Sequence, residues 1–422
     1  MWGARRLMTN SGRLRGWVFA TVLLWMAIAN IYVLWESRTA MAKGYFDFAN
    51  FYTAGALVDR GLGAEIYDHE AQWKVQQEFA SEVKIRLGPM RYLRPPFEAL
   101  LFAVFAMWPY PKALLLWTIF KLALLAAIPF VVIRGRPWRE SFPIWLIPVL
   151  VLGTIPGFMD VLLGQDAVLI AFLFAVVFWQ LDVGRDWVAG IVLGLALCKF
   201  QLALPFVLAV AVAGRRRVLP GFAISAFALT VVSFFVVGWK GLVNYPAYLL
   251  ALNQSAGVGI APQLQMTLRG LLTFIVGRLP YPGRIHWVLA PIALAAIVYA
   301  GLIWRKAGSG FLAEGFGLAA LVGIVTSYYA YSYDLLLLIV PLIAMRTRPD
   351  DAPRADRATR LLERVGLFFV LFTPTFWFVN YLHDQCLMTL PLLALIAALV
   401  RRLHAGGRVS EAGHTLVPDC VQ

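Results

Sequence analysis

Runs of apolar residues long enough to cross a membrane recur along almost the whole chain. Each has about 17 to 25 residues, the length that a helix needs to cross a hydrocarbon core of roughly 30 Å. They begin at Trp17 and continue nearly to the end of the 422-residue sequence. With 61% hydrophobic and only 14% charged residues, the chain has more apolar surface than a water-soluble fold buries. We therefore predict an all-α polytopic membrane protein.

The first apolar run, Trp17 to Trp35, predicts a membrane span that the mature protein retains. It follows Arg5, Arg6, Arg13 and Arg15. It is too long for the apolar region of a signal peptide, and no small-residue cleavage site follows it. Because Lys and Arg concentrate on the cytoplasmic side of membrane proteins, we predict a cytoplasmic N-terminus.

The formal net charge of +14 is interpreted as an orientation signal. The basic residues stand in short clusters between apolar runs and form no stripe on a folded domain, so no nucleic-acid partner is predicted. The clusters are Arg5 to Arg15, Arg134 to Arg139, Arg185, Arg215 to Arg217, Arg305 to Lys306, Arg346 to Arg364 and Arg401 to Arg408. Cys198, Cys386 and Cys420 lie far apart and predict neither a disulfide framework nor a zinc site.

A layout with every basic cluster in the cytoplasm needs an even number of crossings between consecutive clusters. The apolar run Phe97 to Trp108 is short for a crossing and is flanked by prolines, so we predict a re-entrant or interfacial helix there. The result is a bundle of about 12 (11–13) transmembrane helices in the cell membrane, with both termini cytoplasmic. The predicted outer turns lie at 164–166, 199–201, 239–286, 327–334 and 383–385.

The layout divides the chain into consecutive parts. These are a cytoplasmic N-terminus at 1–16, a transmembrane catalytic core at 17–345, a cytoplasmic linker at 346–364, a transmembrane hairpin at 365–400 and a cytoplasmic tail at 401–422. Two outer segments of the core, 36–96 and 239–284, are too long for simple turns and mix Trp, Tyr and Arg with Gly and Pro. The first contains an amphipathic stretch, Glu65 to Val83, predicted to form an interfacial helix. These segments are natural walls for an active site.

Asp47 is the first candidate for chemistry, because it stands among aromatic residues shortly after the first span. A carboxyl group at an apolar interface can have a raised pKa, which suits a general base that deprotonates a hydroxyl group. The alternative is a capping role at the start of an interfacial helix whose apolar face carries Ala49, Tyr52 and Ala56. The residues alone leave both interpretations open.

Other polar residues at the outer turns also have two interpretations. Arg94, before a Pro-Pro bend, either binds a phosphate or snorkels to the interface. Gln165 and Asp166, between two apolar runs, either face a cavity or form a plain turn. Lys199, a lone charge between apolar runs, either binds a lipid phosphate or snorkels.

The remaining candidates are Arg269, a tyrosine run that ends in Tyr333 and Asp334, and the pair His383 and Asp384. A tyrosine run that ends in Asp suits sugar binding, and it equally suits an aromatic belt at the membrane surface. His383 and Asp384 are interpreted as loop residues. No glycine-rich phosphate loop, nucleophile elbow or CxxC pair occurs, so soluble-nucleotide chemistry is not indicated.

Several of these motifs, taken in order, resemble glycosyltransferase family 87, the polyprenol-phosphate-mannose-dependent membrane enzymes of the GT-C fold. The matching stretches are Asp47-Phe-Ala-Asn-Phe-Tyr-Thr-Ala-Gly55 with Ile66-Tyr-Asp68, Arg94-Pro-Pro-Phe-Glu-Ala-Leu-Leu101, Leu163-Gly-Gln-Asp-Ala-Val-Leu169, Ala189-Gly-Ile-Val-Leu-Gly-Leu-Ala-Leu-Cys-Lys199, Met266-Thr-Leu-Arg-Gly-Leu-Leu272 and Tyr333-Asp-Leu-Leu-Leu337. Together they cover most of residues 45–340.

The resemblance implies a GT-C-like bundle that moves a sugar, mannose above all, from a polyprenyl-phosphate carrier to a lipid or glycan acceptor on the extracytoplasmic face. It implies that Asp47 is the catalytic base. Lys199, Arg269 and Arg94 would then bind the donor phosphate.

Sugar and acceptor contacts complete the predicted site. They are assigned to Tyr52, Gln165, Asp166, Tyr333 and Asp334. No metal is assigned, although a divalent cation at Asp47 or Asp68 is an open alternative.

Two other classes of function are compatible with the residues alone. One is a transporter or flippase for a lipid or amphiphile, which would bind its substrate at Lys199 and Asp334. The other is a noncatalytic subunit of envelope assembly, in which Asp47 would be dispensable. The long first outer segment favours the enzyme, since a transporter does not need it.

Overall fold

The computed structural model describes residues 2–84, 86, 88–138, 143–254, 262–276, 285–347, 355–382 and 384–414, and all regular structure in these ranges is helical. The α-helices are α1 (Trp2–Ala42), α2 (Phe48–Asp59), α3 (His69–Ala80), α4 (Pro96–Ala106), α5 (Tyr110–Val132), α6 (Ile147–Leu152), α7 (Ile155–Leu163), α8 (Ala167–Asp182), α9 (Asp186–Leu195), α10 (Phe200–Val212), α11 (Val218–Gln254), α12 (Leu268–Val276), α13 (Ile285–Ala307), α14 (Leu312–Thr326), α15 (Ile339–Met345), α16 (Arg357–Leu371), α17 (Thr373–Tyr381) and α18 (Thr389–His414). The predicted all-α class is confirmed.

The helices contain enough long apolar segments for a multi-pass membrane protein. Seven described segments are long and apolar enough to cross a membrane, and two bent pairs, α6 with α7 and α16 with α17, bring the number to nine. The first predicted span corresponds to residues 16–42 of α1. A multi-pass protein is thus confirmed, whereas the count of about 12 crossings stays a prediction.

The segment from Asp186 to Val212 has the composition of one long span, but the chain folds back in its middle. A 3-10 turn, Ala196–Lys199, separates α9 from α10. Arg215, just after α10, donates a hydrogen bond over 2.8 Å to Asp186 at the start of α9. A straight helix would hold these two ends about 40 Å apart. The segment is therefore a hairpin, and Lys199 lies at its turn.

The two ends of the bundle collect different parts of the chain. At one end, Arg136 pairs with Asp182 and donates to the Thr347 hydroxyl, and Arg215 donates to the Leu181 carbonyl oxygen. These residues lie in or beside the predicted cytoplasmic segments. The opposite end collects the predicted outer turns at 164–166, 199 and 332–334, whose side chains meet there.

The first outer segment contributes α2, α3 and α4. A Cβ on Gly55 of α2 would lie 2.4 Å from the Phe102 carbonyl carbon of α4, so the two helices cross in close contact. With 11 residues, α4 occupies the predicted short apolar run. The predicted amphipathic stretch contains α3, which buries Gln72 and Gln76.

The C-terminal part is more helical than its predicted division suggests. The last helix, α18, continues to His414, within the predicted cytoplasmic tail. Residues 415–422 lie outside the described residues, as do 348–354 of the predicted linker and the candidate His383.

Arg185→Cys and Arg217→Cys should react from the same side of the membrane, because the α9–α10 hairpin returns the chain to its starting side. Lys74→Cys and Lys112→Cys should react from the other side; all four native side chains are exposed. Labelling with a membrane-impermeant maleimide, in intact and in permeabilised cells, shows on which side of the membrane each cysteine lies. The protein without an added cysteine is the control for background labelling. Opposite sides for Arg185 and Arg217 would refute the hairpin.

Candidate active site

A cavity of about 850 Å³ opens at the end of the bundle that holds the predicted outer turns. Its walls come from the first outer segment, from the turn between α7 and α8, and from the tyrosine-rich segment before α15. The ionisable and aromatic residues that line it are Asp47, His69, Arg86, Arg91, Arg94, Phe51, Tyr329, Tyr331 and Tyr333. A few convergent polar groups among aromatic walls are typical of a small-molecule site.

Asp47 lies at the N-cap position of α2, but its side chain does not cap the helix. Its carboxylate instead accepts a hydrogen bond from Gln165 Nε2 at 2.6 Å. The capping interpretation is therefore wrong, and Asp47 is a cavity residue. Burial raises the pKa of Asp47, against the opposing effects of the Gln165 hydrogen bond and the Arg94 charge. A raised pKa makes a carboxylate a better proton acceptor near neutral pH.

The turn that presents Gln165 depends on a glycine. Gly164 has a φ of 70°, which favours glycine, and a Cβ there would lie 2.6 Å from Phe48 Cβ. Trp117 of α5 donates a hydrogen bond from Nε1 to the Gly164 carbonyl oxygen at 3.0 Å. Backbone conformation and a buried indole together fix the turn.

A fully buried ion pair holds the same turn from α5. Lys121 and Asp160 both have 0% side-chain exposure, and Lys121 Nζ donates to Asp160 Oδ2 at 2.7 Å. Asp160 Oδ1 accepts from the Val168 backbone N–H at 3.2 Å, and the Asp160 carbonyl oxygen accepts from the Gln165 backbone N–H at 3.0 Å. The pair thus ties α5 to both sides of the turn.

Two basic and two acidic side chains form a continuous buried network beside the cavity. Asp166 Oδ1 accepts from Arg94 at 2.9 Å and lies 3.0 Å from Lys199 Nζ. Lys199 also pairs with Asp334 Oδ1 at 2.6 Å, and Asp334 Oδ2 accepts from the Tyr331 backbone N–H at 3.0 Å. The snorkelling interpretation is wrong for Arg94 and Lys199, because both side chains are buried among these partners.

The network reaches the cavity through Arg94. Arg94 donates to Gln165 Oε1 at 3.3 Å, and Gln165 in turn contacts Asp47, so the ion pairs connect to the cavity carboxylate. Lys199 lies 4.7 Å from the ring centroid of Tyr333, which covers it on the cavity side. Lys199 therefore acts on the cavity through Tyr333 and its acidic partners.

Arg269 lies in a second cavity of about 530 Å³. Its guanidinium stacks over the Tyr328 ring at 4.1 Å. The other residues that line this cavity are mainly apolar. Leu93 and Tyr329 line both cavities, so the two are neighbours.

Two further predicted residues support the first outer segment and do not line the cavity. Tyr52 donates its hydroxyl hydrogen to the Trp108 carbonyl oxygen at 3.0 Å. Asp68 caps α3, where its carboxylate accepts from the Ala71 backbone N–H at 2.8 Å. The structure therefore does not bring Tyr52 or Asp68 to Asp47.

Among the described residues, Glu98, Asp166 and Cys198 form the one group of three potential metal ligands. Neither Asp47 nor Asp68 belongs to it. Asp166 already contacts two cationic side chains, and a buried thiol is a poor ligand for Mg²⁺ or Mn²⁺, so this donor set does not fit a hard divalent cation. Both Glu98 oxygens and Asp166 Oδ2 lack a hydrogen-bond partner, and a proton shared between the two carboxyl groups would join Asp166 Oδ2 to one of the Glu98 oxygens.

The predicted motifs thus surround one cavity and its neighbour, and a family model matches the central part of the sequence that carries them. The model of glycosyltransferase family 87 matches residues 92–327, more than half of the chain. The chain belongs to glycosyltransferase family 87. Among curated proteins, none matches it.

Family 87 membership makes this protein a membrane glycosyltransferase. The matched region contains Arg94, Gln165, Asp166, Lys199 and Arg269. Asp47 precedes it, and Tyr333 and Asp334 follow it. The roles of these outlying residues therefore rest on their geometry.

Sequence reasoning did not select three cavity residues: His69, Arg86 and Arg91. Arg91 and Arg94 stand three residues apart before the Pro-Pro bend, in a segment without regular secondary structure, and both line the cavity. Lys121 was likewise missed, although a lone lysine within an apolar run is a signal for a buried partner.

Lys121→Met should destabilise the folded protein by about 3–5 kcal/mol, because it leaves Asp160 charged, buried and unpaired. Lys43→Met is the control: it removes an ion pair with Glu82 at the exposed surface and should change little. Thermal unfolding of the purified protein in detergent, followed by tryptophan fluorescence, measures the stability of both variants. Equal losses in the two variants would contradict the role of the buried pair.

Proposed function

We propose that the protein transfers a sugar from a polyprenyl-phosphate carrier to a hydroxyl group of a lipid or glycan acceptor, on the extracytoplasmic side of the cell membrane. The observation that carries this proposal is Asp47, a cavity carboxylate oriented by Gln165 and supported by the Arg94 network. Mannose is the first sugar to test, since the sequence resembles mannosyltransferases of this family.

In the proposed reaction, the acceptor oxygen forms a bond to the anomeric carbon while the bond from that carbon to the phosphate oxygen breaks. Asp47 takes the hydroxyl proton, and the electron pair of the broken bond leaves with the polyprenyl phosphate. A single base opposite the leaving group gives inversion at the anomeric carbon. Tyr333 and Gln165 line the cavity and are the proposed contacts to the sugar.

The predicted phosphate ligands have different positions relative to the cavity. Arg94 lines it and is the member of the set that a phosphate there would meet directly. Lys199 supports Arg94 from behind through Asp166, as Asp334 supports Lys199. Preorganised charges of this kind stabilise charge that develops in a transition state.

The neighbouring cavity supports a lipid-borne donor. It is mainly apolar, shares Leu93 and Tyr329 with the catalytic cavity, and carries Arg269 in its wall. An isoprenoid chain there would bury apolar surface, and its phosphate would lie toward the catalytic cavity.

The proposal includes about 12 crossings with both termini in the cytoplasm. Three observations support this count: the fold-back at Lys199, the two bent helix pairs, and the shorter apolar segments 167–182 and 332–345. In this layout, α4 does not cross.

Asp47→Asn should lower transfer by about 10²–10⁴-fold, because the amide cannot accept the hydroxyl proton. Membranes that contain each variant are incubated with radiolabelled polyprenyl-phosphate mannose and, separately, with the corresponding arabinose and glucose donors. The measurement is the radioactivity incorporated into endogenous lipid or glycan. Asp59→Asn, on the exposed end of α2, is the matched control and should retain activity. Full activity of Asp47→Asn would refute the base. A folded native protein without transfer from any donor would favour the transporter or the noncatalytic subunit.

Transfer activity should fall as the pH drops, and the fall should begin at a higher pH than it would for an exposed aspartate. Asp47 acts as a base only when ionised, and burial raises its pKa, so the base is lost at a pH above the ordinary aspartate value of about 3.9. A pH profile of kcat/KM measures this acidic limb. Activity that stays constant down to about pH 4 would contradict the assignment.

A further inference from the structure

The wall of the catalytic cavity carries more positive than negative charge. Among its described lining residues, Asp47 is the one carboxylate, whereas Arg86, Arg91 and Arg94 contribute guanidinium groups. Arg94 is offset by Asp166 at 2.9 Å. Arg86 and Arg91 then share one carboxylate, Asp47, so the excess is one positive charge, and Arg91 is the arginine on which the Asp47 charge is not seen to act.

Neither of these two arginines hydrogen-bonds to a carboxylate, although the Asp47 charge acts on Arg86. Arg86 donates to the Gln76 amide oxygen at 3.1 Å and to the Gly44 carbonyl oxygen at 2.7 Å, and both acceptors are neutral. Within the described part of the chain, Arg91 has no side-chain hydrogen bond or ion pair, although its side chain is half-buried. A half-buried guanidinium without a counter-charge favours an anionic ligand.

The segment that carries Arg91 is rigidly held. Gln76 exchanges two hydrogen bonds of 2.9 Å with the backbone of Met90, and the Tyr92 backbone N–H donates to Gln72 Oε1 at 3.2 Å. From the other side, the Tyr248 hydroxyl donates to the Tyr92 carbonyl oxygen at 3.0 Å. The chain's own hydrogen bonds thus fix the backbone beside Arg91, which lowers the entropic cost of binding.

We propose that Arg91 and Arg86, with His69 at the rim, form a phosphate-binding subsite in the cavity wall. This inference rests on the proposed function and deepens it, because Arg94 and Lys199 are already neutralised by Asp166 and Asp334. The ligand is a phosphate ester. It comes either from the polyprenyl-phosphate donor or from a phosphorylated acceptor, and the same guanidinium chemistry serves both.

Arg91→Gln is the decisive variant, because Arg91 has no structural partner whose loss would unfold the segment. Binding to the full-length protein in maltoside micelles is measured by tryptophan fluorescence. The probes are decaprenyl monophosphate with decaprenol as its uncharged reference, and glycerol 3-phosphate with glycerol as its reference. Lys74→Gln on the exposed face of α3 is the charge-matched control, and Arg91→Lys tests rescue.

If the subsite binds the donor phosphate, Arg91→Gln should weaken the binding of decaprenyl monophosphate about 10- to 100-fold, while decaprenol should bind as before. If the subsite binds an acceptor phosphate, the same loss of affinity should occur for glycerol 3-phosphate alone. In either case, Arg91→Lys should recover part of the affinity. Unchanged binding of both phosphates by Arg91→Gln, or an equal loss in Lys74→Gln, overturns the subsite.

The transfer assay with Asp47→Asn separates this inference from the proposed function. Phosphate binding that depends on Arg91, in a folded protein without transfer, would leave the subsite standing and refute the reaction. Transfer that depends on Asp47, with phosphate binding indifferent to Arg91, would refute the subsite and leave the reaction standing.

Discussion

The ion pairs of the Lys199 ammonium group, buried between Asp166 and Asp334, are the interactions on which the cavity end of the bundle depends. They join the turn before α8, the hairpin between α9 and α10, and the segment before α15. Through Asp166 they also reach Arg94 of the first outer segment. Each charge is costly to bury alone, so the network forms only when all these segments are in place.

The site divides into a rigid support and an exposed working face. The support consists of the ion-pair network and, beyond it, Lys121 with Asp160, which fixes the turn of Gln165. The side chains that face the cavity are Asp47, Arg86 and Arg91, with Arg94 belonging to both parts. Because the hydrogen bonds of the support are made between the chain's own residues, a charged substrate would meet groups that are already oriented, an arrangement that stabilises a transition state.

The fold class and several site residues were predictable from sequence because they depend on local signals. Length and apolarity predict the membrane helices, and the basic clusters predict the turn at Lys199, where composition alone suggests one long span. Pairing between distant residues was not predictable, since no local signal links Lys121 to Asp160. Tyr52 stood in a matching motif, yet its hydroxyl group bonds to Trp108, because a motif does not fix the direction of a side chain.

The fold-back between α9 and α10 also bears on the depth in the membrane at which the proposed sugar transfer would take place. From Asp186, α9 and the 3-10 turn rise only about 23 Å, less than a hydrocarbon core of roughly 30 Å. If Asp186 lies at the cytoplasmic surface, as in the proposed layout, the turn of Lys199 would lie below the outer membrane surface, and the cavity would be a recess that descends toward it. A carrier anchored in the bilayer would present its headgroup near this depth without leaving the lipid. The acceptor would have to extend into this recess. Its length and flexibility would therefore select which of its hydroxyl groups receive the sugar.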